Sequence, residues 1–457
     1  MRFTRRLRDG WPWSAVAVAA IGVTIASCSS EDASRPGFEE SDGSSPPSRP
    51  SDAGAIDSTP PLRDAGSFDA APLPVTCTST PCATALVATT RTAQGEGYCV
   101  LLADGTVACW GADGNGQLGR GPEAAGDSAT AARVVGLSDV VALDRTCAID
   151  KSGGAWCWGT GAYLVSETKP LTTERSPVKL PIPPARKVSV GGDVGCALVD
   201  DGVLCWGMAY GGQVPVPDGG VPDGQNPMGP FPPQRVPMPP GPPIRDIVVG
   251  RASFALRDDG TVVTWGDNPP LGRLSPLFPD PHPQPMALAP VSMLDIATTN
   301  VCATADGIAH CWGESIPRYD HVQDSKRQLD RAFPKPVTLP ELVLRVATTD
   351  LIAAGSGGLT GPVMHPPRGC ACGVSGAVYC WGHNSSGQAG DGTKEYKYDA
   401  VKVQLPGPAA DVKTTASATC ALLTSGKVYC WGADSFGQLG GGRIKTPSLV
   451  PQEVTLP

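Results

Sequence analysis

The sequence is short of charge and of aromatic side chains: of 457 residues, 18% are Asp, Glu, Lys or Arg and 6% are Phe, Trp or Tyr. Thirty-six Lys and Arg face 44 Asp and Glu, a net −8. The basic surplus that displaces counterions from a phosphate backbone is therefore missing, which argues against nucleic acid as a partner. There are only five histidines, His282, His310, His321, His365 and His383, and they show neither metal-ligand spacing nor an evident nucleophile beside them. Long helices are disfavoured as well, because 56 Gly and 48 Pro make up nearly a quarter of the chain, about twice ordinary usage. The apolar run from Ser14 to Ile25 is too short for a permanent bilayer-spanning helix.

That run has a different use. Arg2, Arg5, Arg6 and Arg8 precede it, the layout of a secretory leader. It ends in Ile25-Ala26-Ser27-Cys28, which resembles a bacterial lipobox. The resemblance implies that residues 1–27 are removed and that Cys28 becomes a lipidated N-terminus; a free thiol in an apolar context is the alternative. Ser29 in place of Asp resembles the sorting pattern of outer-membrane lipoproteins. Residues 28–75 are rich in Ser, Pro, Asp and Gly, with nine acidic residues against three Arg. Such a segment cannot bury enough apolar surface to offset its ordering entropy, so a disordered tether is expected.

From residue 76 onward the chain repeats. A Trp-Gly pair recurs at Trp110, Trp158, Trp206, Trp265, Trp312, Trp381 and Trp431, a period near 50 with two lengthened intervals. Nine or ten residues separate two cysteines in six of these units: Cys99 and Cys109, Cys147 and Cys157, Cys196 and Cys205, Cys302 and Cys311, Cys370 and Cys380, Cys420 and Cys430. Four of the pairs centre on a three-residue loop ending in Gly, such as Ala103-Asp104-Gly105 or Thr424-Ser425-Gly426, where glycine supplies the left-handed residue that closes a hairpin. Cys302 and Cys311 centre on Asp306-Gly307, a two-residue turn, and Cys196 and Cys205 on the poorer Asp200-Asp201. Each pair then faces across one antiparallel hairpin, at a Cα separation of roughly 4.5 to 5.5 Å that a disulfide bridges.

The fourth unit tests that pairing, for Phe254 and Thr264 replace both of its cysteines together. Disulfides are the leading reading, in agreement with export; zinc sites and reduced buried thiols are the alternatives. Cys77 and Cys82 can close a small loop, which leaves Cys372 odd. Weaker strands precede each hairpin, as at 401–403 and 410–412. Four short strands per unit, seven times over, predict an all-β, seven-bladed propeller of four-stranded blades over residues 76–457. The C-terminal segment 447–457 is expected to be the first strand of an unfinished unit, closing the ring by pairing with the N-terminal one.

The run from Cys420 through Gly426 and Trp431-Gly432 to Gly437-Gln438-Leu439-Gly440, echoed at 111–119 and 382–392, resembles the repeat of the regulator-of-chromosome-condensation family. That resemblance implies the seven-bladed fold; the seven Trp, recurring at one structural position, are expected to pack between blades. It does not imply guanine-nucleotide exchange, which needs a cytosolic or nuclear address.

The sequence offers no catalytic, cofactor or metal set. Residues 114–119 match G-x-G-x-x-G, but no helix follows, so the run is a repeated turn and not a dinucleotide cradle. Asp113 and Asn115 lack the remainder of a calcium loop. The insertions are more informative: a Pro-rich run at 211–243, a charged one at 318–331 and a Gly/Pro-rich one at 353–368. By the alternation of an up-and-down blade they all decorate one face, although insertions are also tolerated there without function. The expectation is a monomeric, exported, lipid-anchored module at the outer membrane or cell surface that binds a protein or glycan and meets the membrane only through its lipid. The alternatives are a polysaccharide hydrolase or lyase, which would need carboxylates, Tyr, Arg or His converging near the axis and would gain support from Asp320, His321 or His365 gathered in a pocket, and a purely structural envelope component.

Overall fold

In the computed structural model the described residues are 68, 71–78, 80–89, 95–161, 164, 172–191, 193–216, 229–268, 270–288, 290–313, 332–349, 352–354, 363–365 and 368–457. Residues 1–67, which include the expected leader, Cys28 and most of the expected tether, lie outside them.

The hairpin chemistry builds as the turn residues dictate. In the first blade the Leu102 amide donates to Thr106 O and the Gly105 amide to Leu102 O, with Gly105 at φ +78°. Gly153, Gly260, Gly376 and Gly426 repeat this turn at φ +79° to +83°, where a residue with a Cβ is strained. The turns set the register, so Cys99 opposes Cys109 and Cys420 opposes Cys430. In blade 4, Phe254 opposes Thr264 in the same register.

Seven four-stranded antiparallel sheets follow one another along the chain. Blade 1 is β1–β4 (Ala83–Ala88, Gly97–Leu102, Val107–Gly111, Ser128–Arg133). Blade 2 is β5–β8 (Val140–Asp144, Cys147–Asp150, Ala155–Gly161, Thr172–Lys179) and blade 3 is β9–β12 (Ala185–Gly191, Val194–Val199, Gly202–Gly207, Phe231–Arg235). Blade 4 is β13–β16 (Ile244–Val249, Ala252–Arg257, Val262–Gly266, Asp280–Pro285) and blade 5 is β17–β20 (Val291–Ile296, Asn300–Ala305, Ile308–Gly313, Lys335–Pro336). Blade 6 joins β21 (Val343–Thr348) to β24–β26 (Gly369–Gly373, Val378–Gly382, Lys397–Lys402), with a separate hairpin, β22 (Ile352–Ala354) and β23 (Val363–His365), inserted between its first two strands. Blade 7 is β27–β30 (Ala409–Thr414, Ala418–Leu423, Val428–Gly432, Ser448–Glu453). The fold is a seven-bladed β-propeller. First strands of neighbouring blades touch one another and so line the axis.

The apolar residues gather between the sheets, in seven clusters, one per blade interface. Each cluster holds one of the seven Trp, Trp381 as a partly buried member and the others buried. Indole N–H groups are buried only with a partner. Here Trp110, Trp158, Trp265, Trp312 and Trp431 donate to carbonyls of the preceding blade, at Gln438, Gln117, Gln213, Pro270 and Gln388, over 2.8 to 3.0 Å. The glycine ending each Gly-Gln-x-Gly turn makes room for this ring: a Cβ on Gly390 would lie 2.5 Å from Trp431 Nε1.

Ring closure departs from the sequence expectation. Ser448–Glu453 is the fourth strand of blade 7 and pairs with Val428–Gly432 of that blade, not with the N-terminal unit. Every blade is made of four strands in chain order, interrupted in blade 6 by its inserted hairpin, and the hairpin that ends in Trp-Gly supplies the second and third of them. The ring closes by the same bond that joins other neighbours. A tight-turn glycine carbonyl accepts the first amide of the next blade, Gly105 from Val140, Gly153 from Ala185, Gly376 from Ala409, and at the closure Gly426 from Ala83, all at 2.8 to 2.9 Å. The reason is chain economy: a complete final blade leaves no strand to exchange, and side-by-side packing of blades is enough.

Candidate binding face

An up-and-down blade sends its first-to-second and third-to-fourth connections to one face and the other connections to the opposite face. The tight Gly turns, which join second strands to third, therefore share a face with the blade-to-blade links. The three long connections, 208–230 in blade 3, 314–334 in blade 5 and 349–368 in blade 6, all start and end on the other face. The expected segregation of the insertions is found within a shifted blade frame, except that residues 236–243 of the Pro-rich run link blade 3 to blade 4 on the tight-turn face. Part of the Pro-rich run is strand, since Phe231–Arg235 is the outer strand of blade 3.

On this insertion face the short first-to-second connections converge on the axis. A pocket of about 190 Å³ is shared by blades 2 to 5 and lined by Arg145, Asp193, Tyr210, Gln213, Arg251 and Thr298, among others. Arg145 reaches across it towards Ile296 O at 3.4 Å. Arg251 pairs with Asp267 at 2.6 Å, and Tyr210 donates its hydroxyl to Asp193 at 2.5 Å. Burial first, and then the Asp193 carboxylate, push the Tyr210 phenol up to about 12, so it stays a neutral donor at physiological pH. Paired charges of both signs around a shallow opening suit a polar partner surface, since rim charges steer and orient more than they bind.

Blades 6, 7 and 1 fill the rest of the axial mouth with a buried polar network. Glu96 accepts from Thr415 Oγ1 (3.0 Å), the Ser417 amide (2.8 Å), Ser417 Oγ (2.7 Å) and Gln438 Nε2 (3.1 Å). Arg368 donates to Thr419 Oγ1 (2.9 Å), Thr415 O (2.7 Å), Gln388 O (3.3 Å) and Ala418 O. Burial raises the Glu96 carboxyl above its ordinary value, against the Ser417 and Thr415 bonds and the Arg368 charge. Burial also lowers the Arg368 guanidinium to about 10. Sequence reading missed this network. Its only signal was a polar position three residues before the first Cys, occupied by Glu96, Asp144, Asp193 and, in blade 4, Arg251.

The remaining candidate residues are placed as follows. Cys99 and Cys109, Cys147 and Cys157, Cys196 and Cys205, Cys302 and Cys311, Cys370 and Cys380, Cys420 and Cys430 lie at disulfide distance with Cα separations of 4.1 Å, and Cys77 lies so with Cys82. The separation is shorter than the 4.5 to 5.5 Å expected of opposed strands. Cys372 is free and buried, and burial raises its thiol. In the unstapled blade 4, Arg273 bonds the Thr264 hydroxyl at 3.0 Å and pairs with Asp280 at 2.9 Å. His282, His310 and His383 stand on three different blades; Asp320 and His321 lie outside the described residues, as does the side chain of His365. The 114–119 run is a turn in which Asp113 accepts the Leu118 amide at 3.0 Å, and Asp434 does the same for Leu439 at 3.1 Å. Among the described residues, no group of three or more His, Cys, Asp or Glu is placed to hold a metal, and no helix is long and apolar enough to cross a membrane.

The Gly-Gln-Leu-Gly turn with its Cys-Trp-Gly hairpin decides the repeat type. The model for the regulator of chromosome condensation (RCC1) repeat matches residues 410–438, and a second model of that name matches 425–457. Residues 410–457 of this seven-bladed propeller thus match the RCC1 repeat. Among solved structures it is similar to human WBSCR16, at 20% identity over 77% of this chain and 95% of that one, with a TM-score of 0.55. Yeast RCC1 (Prp20), solved bound to Kap60, is similar at 19% identity over 77% and 84%, with a TM-score of 0.59. Prp20p from Saccharomyces cerevisiae, described with its binding to Gsp1p and histones, aligns at 18% identity over 78% and 87%, also with a TM-score of 0.59. These likenesses carry the fold. No curated protein matches the sequence.

Proposed function

We propose that this chain is an exported binding module, tethered by a lipid on Cys28, that recognises a protein partner with its insertion-bearing face. One observation carries the reading: all three long connections start and end on the face that also holds the four-blade axial pocket, while the opposite face carries the repeating short turns and the blade-to-blade links. Loops on a rigid scaffold are where recognition concentrates. The protein complexes described for yeast RCC1 and Prp20p support a protein over a glycan. The cysteine pairs at disulfide distance support an oxidising compartment.

The direct test is proximity labelling on intact cells, comparing wild type with a variant lacking 353–366, a deletion that spares Arg368. Loss of one specific partner is expected. An unchanged set of neighbours from a variant that still folds would remove the binding role from this loop. Separately, Cys28→Ala should release the protein from the membrane fraction or stall its maturation, and unchanged fractionation would reject the anchor.

A further inference from the structure

The tight-turn face carries two contacts that the repeat does not require, and both are made by chain lying before the first strand. At blade 7, the Thr76 amide donates to Thr424 O at 2.7 Å, Val75 packs on the cluster between blades 7 and 1, and Cys82 sits so close to the turn that a Cβ on Gly426 would collide with its sulfur. At blade 5, the other contact is Phe68. A Cβ on Gly307 would lie 2.9 Å from Phe68 Cζ and 3.0 Å from Leu342 Cβ, which puts the phenyl ring on the Asp306-Gly307 turn. That turn edges a groove of about 470 Å³, lined by Ile308, Pro336, Val337, Leu339 and Leu342 among others. Ile308 and Leu342 are 43% and 46% exposed. Eight residues lead from Phe68 to Thr76, and extended chain of that length spans up to roughly 26 to 29 Å.

We propose that the segment from Phe68 to Cys82 is a strap bound across the tight-turn face, with Phe68 as its anchor at the apolar groove of blade 5 and the Thr76 and Cys82 contacts as its second hold. Phe68 of this chain covers the Gly307 edge of the groove and leaves the remainder open.

The strap is tested on the full chain in detergent, with or without lipid. The photoreactive analogue p-benzoylphenylalanine in place of Phe68 should give an adduct within 306–309 or 339–342 of the same molecule. Absence of that adduct, or an adduct joining two copies, would overturn the proposal. The half-buried site also permits Phe68→Ala without threat to folding, and this change should speed amide exchange at Val343, whose amide bonds Gly307 O, by about tenfold as the local opening becomes easier. Unchanged exchange there would equally count against the strap. Neither readout involves Cys28, so failure of the anchor and failure of the strap are separable.

Discussion

The interface that closes the ring and the interface between blades 5 and 6 are built from the same repeat, yet they differ in depth. Sixteen buried apolar residues pack between blades 7 and 1, with Trp110 fully buried. Between blades 5 and 6 five such residues are found among the described residues, and Trp381 is only half-buried. The outer strand of blade 5 is two residues long, and the 314–334 and 349–368 connections leave from this pair of blades. Among the described residues the interface between blades 7 and 1 is therefore the thicker, and the one beside the long connections the thinner. Closure needs neither an exchanged strand nor special chemistry, while sequence freedom has been spent where recognition is proposed.

Truncating the tryptophans should expose this contrast most sharply. Trp110→Ala removes a fully buried ring and its bond to Gln438, at an expected cost of about 3–5 kcal/mol. Trp381→Ala should cost about 1–2 kcal/mol, since a half-buried ring leaves a smaller cavity. Denaturant midpoints check both, and equal losses would erase the distinction. Next comes the staple: replacing Cys99 and Cys109 together by Ser should lower stability by about 2–3 kcal/mol in the chain-entropy account. Non-reducing peptide mapping should first show that pair linked, and likewise Cys420 with Cys430.

The smallest effect is expected in blade 4, which has no staple. Burial raises the Asp280 carboxyl, but the His282 amide, Ser275 and Arg273 outweigh it and hold the group at about 2, below its ordinary 3.8. A carboxyl depressed on folding stabilises fully above its unfolded value, and that contribution is lost as pH falls through the folded one. Melting temperature should thus drop between about pH 4 and pH 2, and Asp280→Asn should flatten the drop. An identical acid limb in that variant would remove Asp280 from the account.

Local features were legible in the sequence because local chemistry decides them. The Gly105 and Gly426 turns fix the hairpin register, and the register fixes which cysteines meet. The Trp-Gly period gave the number of blades. The frame of the blade was not legible, since outer strands such as Phe231–Arg235 and Lys335–Pro336 share no pattern and the hairpin alone does not say which strand begins a sheet. Glu96 and Thr415 lie over three hundred residues apart, and Arg368 follows an insertion that hides its repeat position. Only closure of the ring brings them together.

The central claim is that the two faces differ in use, and one pair of photocrosslinks addresses it. A photoreactive residue at Tyr210, 48% exposed at the axial pocket, is compared in intact cells with one at Val374, 42% exposed on a tight turn. The account predicts a defined partner adduct from position 210 and none from 374. An adduct from 374 alone, or the same adduct from both, would contradict it.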